Sequence, residues 1–316
     1  VQARLVADSP IGHPSRRRAR PWGPALGLLL LAGLAPARAL PPPDTLLARF
    51  EAVRAEPALR LPGQPLWLQS FEQAQGRMRG EVWAVLEHEA ADAQAALGRP
   101  EPWCDALILH LNVKYCRAGT HDGAPVLDVG VGRKHDQPLA GVHWMRFVWK
   151  LGSARPESWR VALLAADGPL QTRDYRIELE AVALERARTL VHLTYSYAYG
   201  PAARWTMQLY LATLGHDKVG FTVVGRDADG QPKYVEGLRG VIERNAVRYA
   251  LALQAYLGSL RLSAEPERLE RRLQDWFDAT ERHALQLREI DRTTYLAMKR
   301  QEVRRQQQLM APAQRD

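Results

Sequence analysis

Gly237-Leu238-Arg239-Gly240-Val241-Ile242-Glu243-Arg244-Asn245-Ala246-Val247-Arg248-Tyr249, continuing through Ala250 to Leu260, is the stretch whose reading decides the fold. It reads as a helix of about six turns at 3.6 residues per turn. Projected at 100° per residue, one face collects Leu238, Val241, Ile242, Ala246, Tyr249, Ala252, Leu253, Tyr256, Leu257 and Leu260. Asn245 lies in the middle of that apolar face, while Glu243, Arg244 and Gln254 fall away from it. What precedes the helix tells where its apolar face goes.

Upstream, strand-like runs follow one another with turn residues between them. They span Leu109 to Cys116, Pro125 to Val131, His143 to Leu151, Trp159 to Ala165, Asp174 to Ala183, Leu190 to Tyr199, Arg204 to Leu214 and Lys218 to Val224. Gly152-Ser153, Asp167-Gly168, Gly200-Pro201 and Asp229-Gly230 punctuate them. Connections this short imply an antiparallel meander. Ahead of it, Gly80 to Glu87 reads as a strand with Val82, Ala84 and Leu86 on one face. Ala90 to Leu97 and the turn around Trp103 to Leu107 read as two short helices. A long amphipathic helix after a meander belongs across the concave face of a curved sheet.

One strand, two short helices, a long meander and a closing helix is the order of the helix-grip fold, an α+β class. From about Met78 to Leu260 the chain resembles the START-related lipid-transfer superfamily, which includes polyketide-cyclase-like and lipid-transport-like proteins. The resemblance is carried by Gly80-Glu81-Val82-Trp83-Ala84-Val85-Leu86, by Trp103-Cys104-Asp105, by Lys218-Val219-Gly220-Phe221-Thr222-Val223 and by the Gly237 to Tyr249 run. These are patterns of position and residue type, not a catalytic signature. The resemblance implies a sheet wrapped around the last helix, with an apolar cavity between them that holds a sterol, phospholipid, isoprenoid or polyketide. The chain departs from that family in its N-terminal segment, its cysteine pair and its C-terminal extension.

Residues 1–39 read as a secretory signal: Arg16, Arg17, Arg18 and Arg20 form a basic region, Leu28 to Leu31 centre an apolar run, and Ala37-Arg38-Ala39 sets cleavage before Leu40. The apolar run is shorter than the roughly 20 residues a membrane-spanning helix needs. The predicted location is periplasmic or secreted. Residues 40–77 read as a leader with a short helix that Asp44 can cap, ended by Pro57, Pro62, Gly63 and Pro65. Residues 78–260 form the grip domain. Residues 261–316 form a helical extension, with Leu269, Leu273, Trp276 and Phe277 at helical spacing and Asp291 placed to cap its last segment. The stripe on that extension is expected to cover the outside of the domain, a second copy, a membrane surface or a protein partner.

The formal charge is +8, but six Arg and one Asp in residues 1–39 contribute +5, leaving about +3 for the rest. That removes most of the case for nucleic acid. Cys104 and Cys116 are the only cysteines. Their spacing fits neither a CxxC redox pair nor zinc-ligand spacing, and in an exported chain a structural disulfide is expected, worth about 3 kcal/mol in the chain-entropy model.

No catalytic residues and no cofactor are assigned. His110, His121, His135 and His143 show no metal-binding spacing, and no GxSxG elbow, P-loop or GxGxxG stands between a strand and a helix. The candidate ligand-binding residues are Asn245, Tyr249, Tyr195, Tyr197, Tyr199 and Tyr210. An amide in an apolar interface costs about 1–3 kcal/mol unless hydrogen-bonded, so Asn245 meets either a ligand headgroup or a protein partner. Tyr195, Tyr197 and Tyr199 alternate and share one strand face, inward or outward. The expected function is an exported, non-enzymatic binder of a hydrophobic small molecule, foremost a lipid. The rivals are an enzyme on the same fold acting on a cyclic or aromatic hydrophobic substrate, and an interaction protein without a ligand.

Overall fold

In a computed structural model the described residues are 43–74, 76–185, 187–200 and 218–310. The signal segment with its cleavage site and the strand read at Arg204 to Leu214, with Tyr210, lie outside the described residues. Eight strands form one antiparallel sheet: β1 (Leu66–Gln73), β2 (Arg77–Leu86), β3 (Val113–His121), β4 (Ala124–Val131), β5 (His143–Arg155), β6 (Ser158–Asp167), β7 (Thr172–Leu184) and β8 (Arg188–Tyr199). Their order is β1-β2-β8-β7-β6-β5-β4-β3. Consecutive strands pair as hairpins, except that β2 pairs with β8 and the chain crosses to β3 through α2 (Ala90–Leu97) and α3 (Glu101–Leu107). The Cys104–Cys116 disulfide ties α3 to β3 with a Cα–Cα distance of 5.1 Å, inside the range such bonds require.

The quoted helix is α4 (Gly237–Ser259), and it lies across the concave face of the sheet. The helix approaches closely at Gly80 of β2, where a Cβ would come within 3.0 Å of the Ala246 Cβ and 3.2 Å of the Ile242 carbonyl oxygen. This is the helix-grip fold. The convex face carries a separate apolar layer. There α1 (Pro43–Arg54) packs Leu46, Phe50 and Val53 against Trp67, Trp83, Val182 and Leu190. The Phe50 ring meets the Trp67 ring edge-on at 5.1 Å.

Three features differ from the sequence reading. The sheet begins at Leu66, ahead of Met78: Leu66 and Leu68 turn into the core and Trp67 onto the convex layer. The strand expected over Lys218 to Val224 does not join the main sheet. Val223–Arg226 (β9) pairs with Pro232–Tyr234 (β10) in a separate hairpin, and the Phe221 and Thr222 amides are taken by the Glu243 carboxylate instead of a neighbouring strand. Glu243 and Arg244, read as lying away from the apolar face, are buried. They are covered because α4 is packed on its back as well as its front.

That back layer is the C-terminal extension: α5 (Glu265–Glu281), α6 (Ala284–Leu287) and α7 (Arg292–Met310). Its stripe joins the same core as the sheet, with Leu273, Trp276, Tyr295 and Met298 buried there. The Trp276 indole donates to the Arg248 carbonyl (3.1 Å) and the Tyr295 hydroxyl to the Leu109 carbonyl (3.0 Å). Asp291 caps α7 by accepting from the Thr294 N–H (3.0 Å) and hydroxyl (2.6 Å). A fully buried ionic strip completes the joint. Glu302 accepts from Lys114 of β3 (2.9 Å) and from Lys299 (2.8 Å), and Lys299 also donates to the His110 and Val113 carbonyls (2.7 and 2.8 Å). None of the described helices is long and apolar enough to cross a membrane.

Candidate ligand-binding site

Alternation along β8 sends Val191, Leu193, Tyr195 and Tyr197 toward α4, while His192 and Thr194 face outward. The three tyrosines therefore point inward, and all are buried. The Tyr195 and Tyr197 rings belong to a contiguous row. Tyr197 stands 5.9 Å from Tyr195 and 5.2 Å from Tyr175 of β7; Tyr195 stands 5.2 Å from Tyr249 of α4; Tyr249 stacks on His110 at 4.8 Å. Asn245 sits one helical turn from Tyr249, half-buried, with its amide bearing on both His110 and the Tyr195 hydroxyl. Tyr199 is set apart at the sheet end, where its hydroxyl donates to Glu72 at 2.5 Å. The structure thus gathers Tyr195, Tyr197, Asn245 and Tyr249, and leaves Tyr199 at the rim.

His110, weighed in the sequence only as a metal ligand, is a member that sequence reasoning did not place here, because a lone histidine at a strand approach carries no motif. Its Nδ1 accepts the Asn112 N–H (3.1 Å), which leaves the proton of the neutral ring on Nε2. Burial, with the charges of Arg248 and Lys299, pushes its pKa well below the usual value, so the ring is neutral. Burial raises the Tyr195, Tyr197 and Tyr249 hydroxyls, which stay protonated, and holds Tyr175 at about 12. No protein acceptor of ordinary geometry meets His110 Nε2, Tyr197 Oη or Arg248 Nε among the described residues.

Behind the row, α4 supplies Arg244 and Arg248. Arg248 donates to the Leu287 carbonyl (3.0 Å) and to Glu289 (2.8 Å), and Glu289 also meets Lys134 (2.7 Å) and Lys218 (3.6 Å). Arg244 donates to the Lys218 and Val219 carbonyls (3.0 and 3.1 Å).

Along the same face, away from the tyrosines, lies an apolar crevice between sheet and helix. Val82, Ala84, Leu193, Ala250, Leu253 and Leu257 line it, and its volume is about 20 Å³, room for roughly one water molecule. The concave face is therefore amphipathic in plan: aliphatic from Leu257 to Ala250, then polar and aromatic from Tyr249 to Asn245.

Two other polar clusters do different work. Glu243 accepts from the Ser70 hydroxyl (2.5 Å), the Phe221 and Thr222 amides (2.6 and 3.0 Å) and the Thr222 hydroxyl (2.6 Å), which fastens α4 to β1 and to the segment before β9. On the convex face His192 lies between Glu81 (3.1 Å) and Glu180 (3.0 Å), stacked on Trp83 at 3.9 Å, with Arg49 of α1 above the Trp83 ring at 5.1 Å. No group of three or more His, Cys, Asp or Glu side chains that could hold a metal occurs among the described residues.

No family model matches the sequence, and no curated protein matches it. Solved structures similar to this chain include human StAR-related lipid transfer protein 5, 9% identical over 69% of this chain and 96% of that one, with a TM-score of 0.37. They also include the Zhui aromatase/cyclase from Streptomyces sp. R1128, 14% identical over 58% and 94%, TM-score 0.33. A norcoclaurine synthase from Thalictrum flavum is 13% identical over 46% and 89%, TM-score 0.32. At such scores the fold assignment rests on this chain's own strand order and on the helix seated across its sheet.

Proposed function

We propose that this protein binds a hydrophobic small molecule, a lipid, between the concave sheet and α4. The observation that carries this reading is the buried polar row at one end of an aliphatic crevice. Buried polar groups cost about 1–3 kcal/mol each when left unpaired, and an amphiphile meets a polar end and an aliphatic end in that order. We also propose export. The N-terminal reading and the Cys104–Cys116 disulfide support an oxidising compartment.

The crevice volume favours one rival. At about 20 Å³ it is far below the 300–1,000 Å³ typical of small-molecule sites. A side-chain-filled grip that serves as an interaction scaffold fits that number as it stands. Native mass spectrometry with lipid extraction, on protein taken from its own compartment, separates the readings. A stoichiometric lipid is expected. Bare protein would favour the scaffold, and a paired substrate and product would favour an enzyme. N-terminal sequencing of the same sample should find Leu40 first; an intact Val1 to Ala39 segment would end the export proposal.

A further inference from the structure

The loop between β4 and β5, residues 132–142, contains no buried residue. It has no share in the apolar core, so polar ties decide whether it stays in place. Its first residue is bound to the segment after His110: the Gly132 N–H donates to the Asn112 carbonyl (2.7 Å), and the Asn112 side chain donates to the Gly132 carbonyl (2.6 Å). Beyond that point its side-chain ties run to the C-terminal extension. Lys134 meets Glu289, between α6 and α7, at 2.7 Å. Two residues on, Asp136 stands 3.7 Å from Arg305 of α7, which also donates to the Gln137 carbonyl at 3.1 Å. The two pairs have opposite polarity: the loop offers a cation and then an anion, and the extension answers with an anion and then a cation.

The extension is the fixed side of this joint. On α7, Glu302 is bound to Lys114 of β3, and the Gln306 side chain accepts the Cys116 N–H at 2.8 Å. Glu289 is held independently by Arg248 of α4 at 2.8 Å. Burial raises the Glu289 carboxyl, but the charges of Arg248, Lys134 and Lys218 outweigh it, so the group stays ionised. Exposure falls from 30% at the Lys134 side chain to 6% at Glu289 and 2% at Arg248. Arg248 precedes Tyr249, whose ring stacks on His110 at 4.8 Å. The joint therefore lies on the solvent side of the His110–Tyr249 end of the ring row.

We infer that the C-terminal extension is a strap: through Glu289 and Arg305 it latches the β4–β5 loop shut over the His110–Tyr249 end of the concave face. The loop is the moving part and α7 the anchor. With the latch closed, parting of helix and sheet is confined to the aliphatic end. The latch belongs to the chain itself and needs no ligand.

Hydrogen exchange of the full chain, read by mass spectrometry, tests this in Lys134→Met and in Lys134→Met/Arg305→Met. Neither variant removes Glu289 from Arg248, so no buried charge is stranded. Exchange over residues 132–142 should quicken by about tenfold in the single variant, the scale of one charge-assisted hydrogen bond, and by more in the double. Exchange over β6 and β8 should stay as in the wild type. Lys134→Arg keeps the cation and should keep the protection. Diethyl pyrocarbonate should then modify His110 in the double variant and leave it untouched in the wild type, with the exposed His135 and His143 reacting in both. Unaltered exchange over 132–142 in the double variant overturns the latch. Equal acceleration over β6 and β8 overturns it in favour of a general loss of stability. A loop as mobile in Lys134→Arg as in Lys134→Met removes charge as the tie. A mobile loop over a His110 that still does not react overturns the covering role.

Discussion

Replacing Glu302 by leucine should be among the most damaging single changes available in this protein. The carboxylate is fully buried and stands between two fully buried ammonium groups, at 2.9 Å from Lys114 and 2.8 Å from Lys299. Removing one partner of a buried pair leaves the other charge uncompensated, which costs about 3–5 kcal/mol. Two charges are left here, so the upper end applies. The loss is bounded because Lys299, already held at about 8 by burial, can shed its proton. Against a total stability of about 5–15 kcal/mol, that is a third of the fold or more. Urea unfolding at pH 7, followed by tryptophan fluorescence and far-ultraviolet circular dichroism, reads it directly. With a slope of about 3 kcal/mol/M the midpoint should fall by about 1.3 to 1.7 M. Lys114→Met and Lys299→Met added to Glu302→Leu should recover most of the loss, since an apolar triad of similar volume is a tolerated substitute. A loss below about 1 kcal/mol at an unchanged slope would refute the claim that this strip fastens α7 to β3.

Burial, against the charge of Glu302 and with the repulsion of Lys114, holds Lys299 at about 8, whereas a free lysine titrates at 10.5. Between those values the unfolded chain holds the extra proton, so stability should rise with pH, by at most about 1.4 kcal/mol per unit. Urea midpoints at pH 8 and pH 9.5 check this, and a flat wild-type profile would count against it. Burial raises the Glu81 carboxyl, but the bond and charge of His192, with Arg79, outweigh it and hold it at about 2 against 4.5. That stabilisation is present above 4.5 and is lost as pH falls toward 2. His192→Phe should therefore flatten the acid limb of stability and lower stability at neutral pH, and an unaltered acid limb would exclude the pairing. Gly220→Ala places a Cβ 2.5 Å from Glu243 Oε2 and 2.7 Å from Val235 Cγ1. It should cost about 1–3 kcal/mol, seen as a thermal midpoint lowered by several degrees; an unchanged midpoint would show that the segment yields freely. Asn245→Leu should cost about 1–3 kcal/mol through His110 and Tyr195 and alter the co-purified lipids. Lost stability with unaltered lipids would make Asn245 structural.

The order of elements was legible because hydrophobic alternation and turn residues are local signals. Six of the meander strands fall where Leu109 to Tyr199 alternates, and the closing helix falls on its periodic run. The stretch Lys218 to Thr222 alternates like a strand, yet a distant carboxylate, Glu243, takes its amides. Nothing local announces that exchange. The buried charges were hidden for the same reason. Lys299 and Glu302 sit in a segment that reads as a basic polar run, and their partner Lys114 lies 188 residues from Glu302. Periodicity assigns charged residues to solvent unless another layer covers them, and here α5 and α7 supply that layer. The tyrosine direction was undecidable from β8 alone. It is fixed by pairing with β2, which places Tyr195 opposite Gly80 beneath α4.

The narrow crevice and the proposed ligand are compatible once the fastening of α4 is considered. The N-terminal half of the helix is pinned by Glu243 to β1 and to the Phe221–Thr222 amides, and by the close contact of Ala246 with Gly80. Its middle is held from behind through the Arg248 carbonyl and Trp276. Toward Leu257 the wall facing the sheet is nearly all aliphatic: Ala250, Leu253 and Leu257 oppose Val82, Ala84 and Leu193. Parting those walls exposes apolar area at about 25 cal/mol per Å², and a lipid chain that enters covers the same area again, at about 0.8 kcal/mol for each methylene buried. The exchange is near neutral in apolar terms, so the aliphatic end can admit a chain without breaking a hydrogen bond. A grip that is closed when empty and widened from its aliphatic end is what this division of polar and apolar contacts along one helix produces.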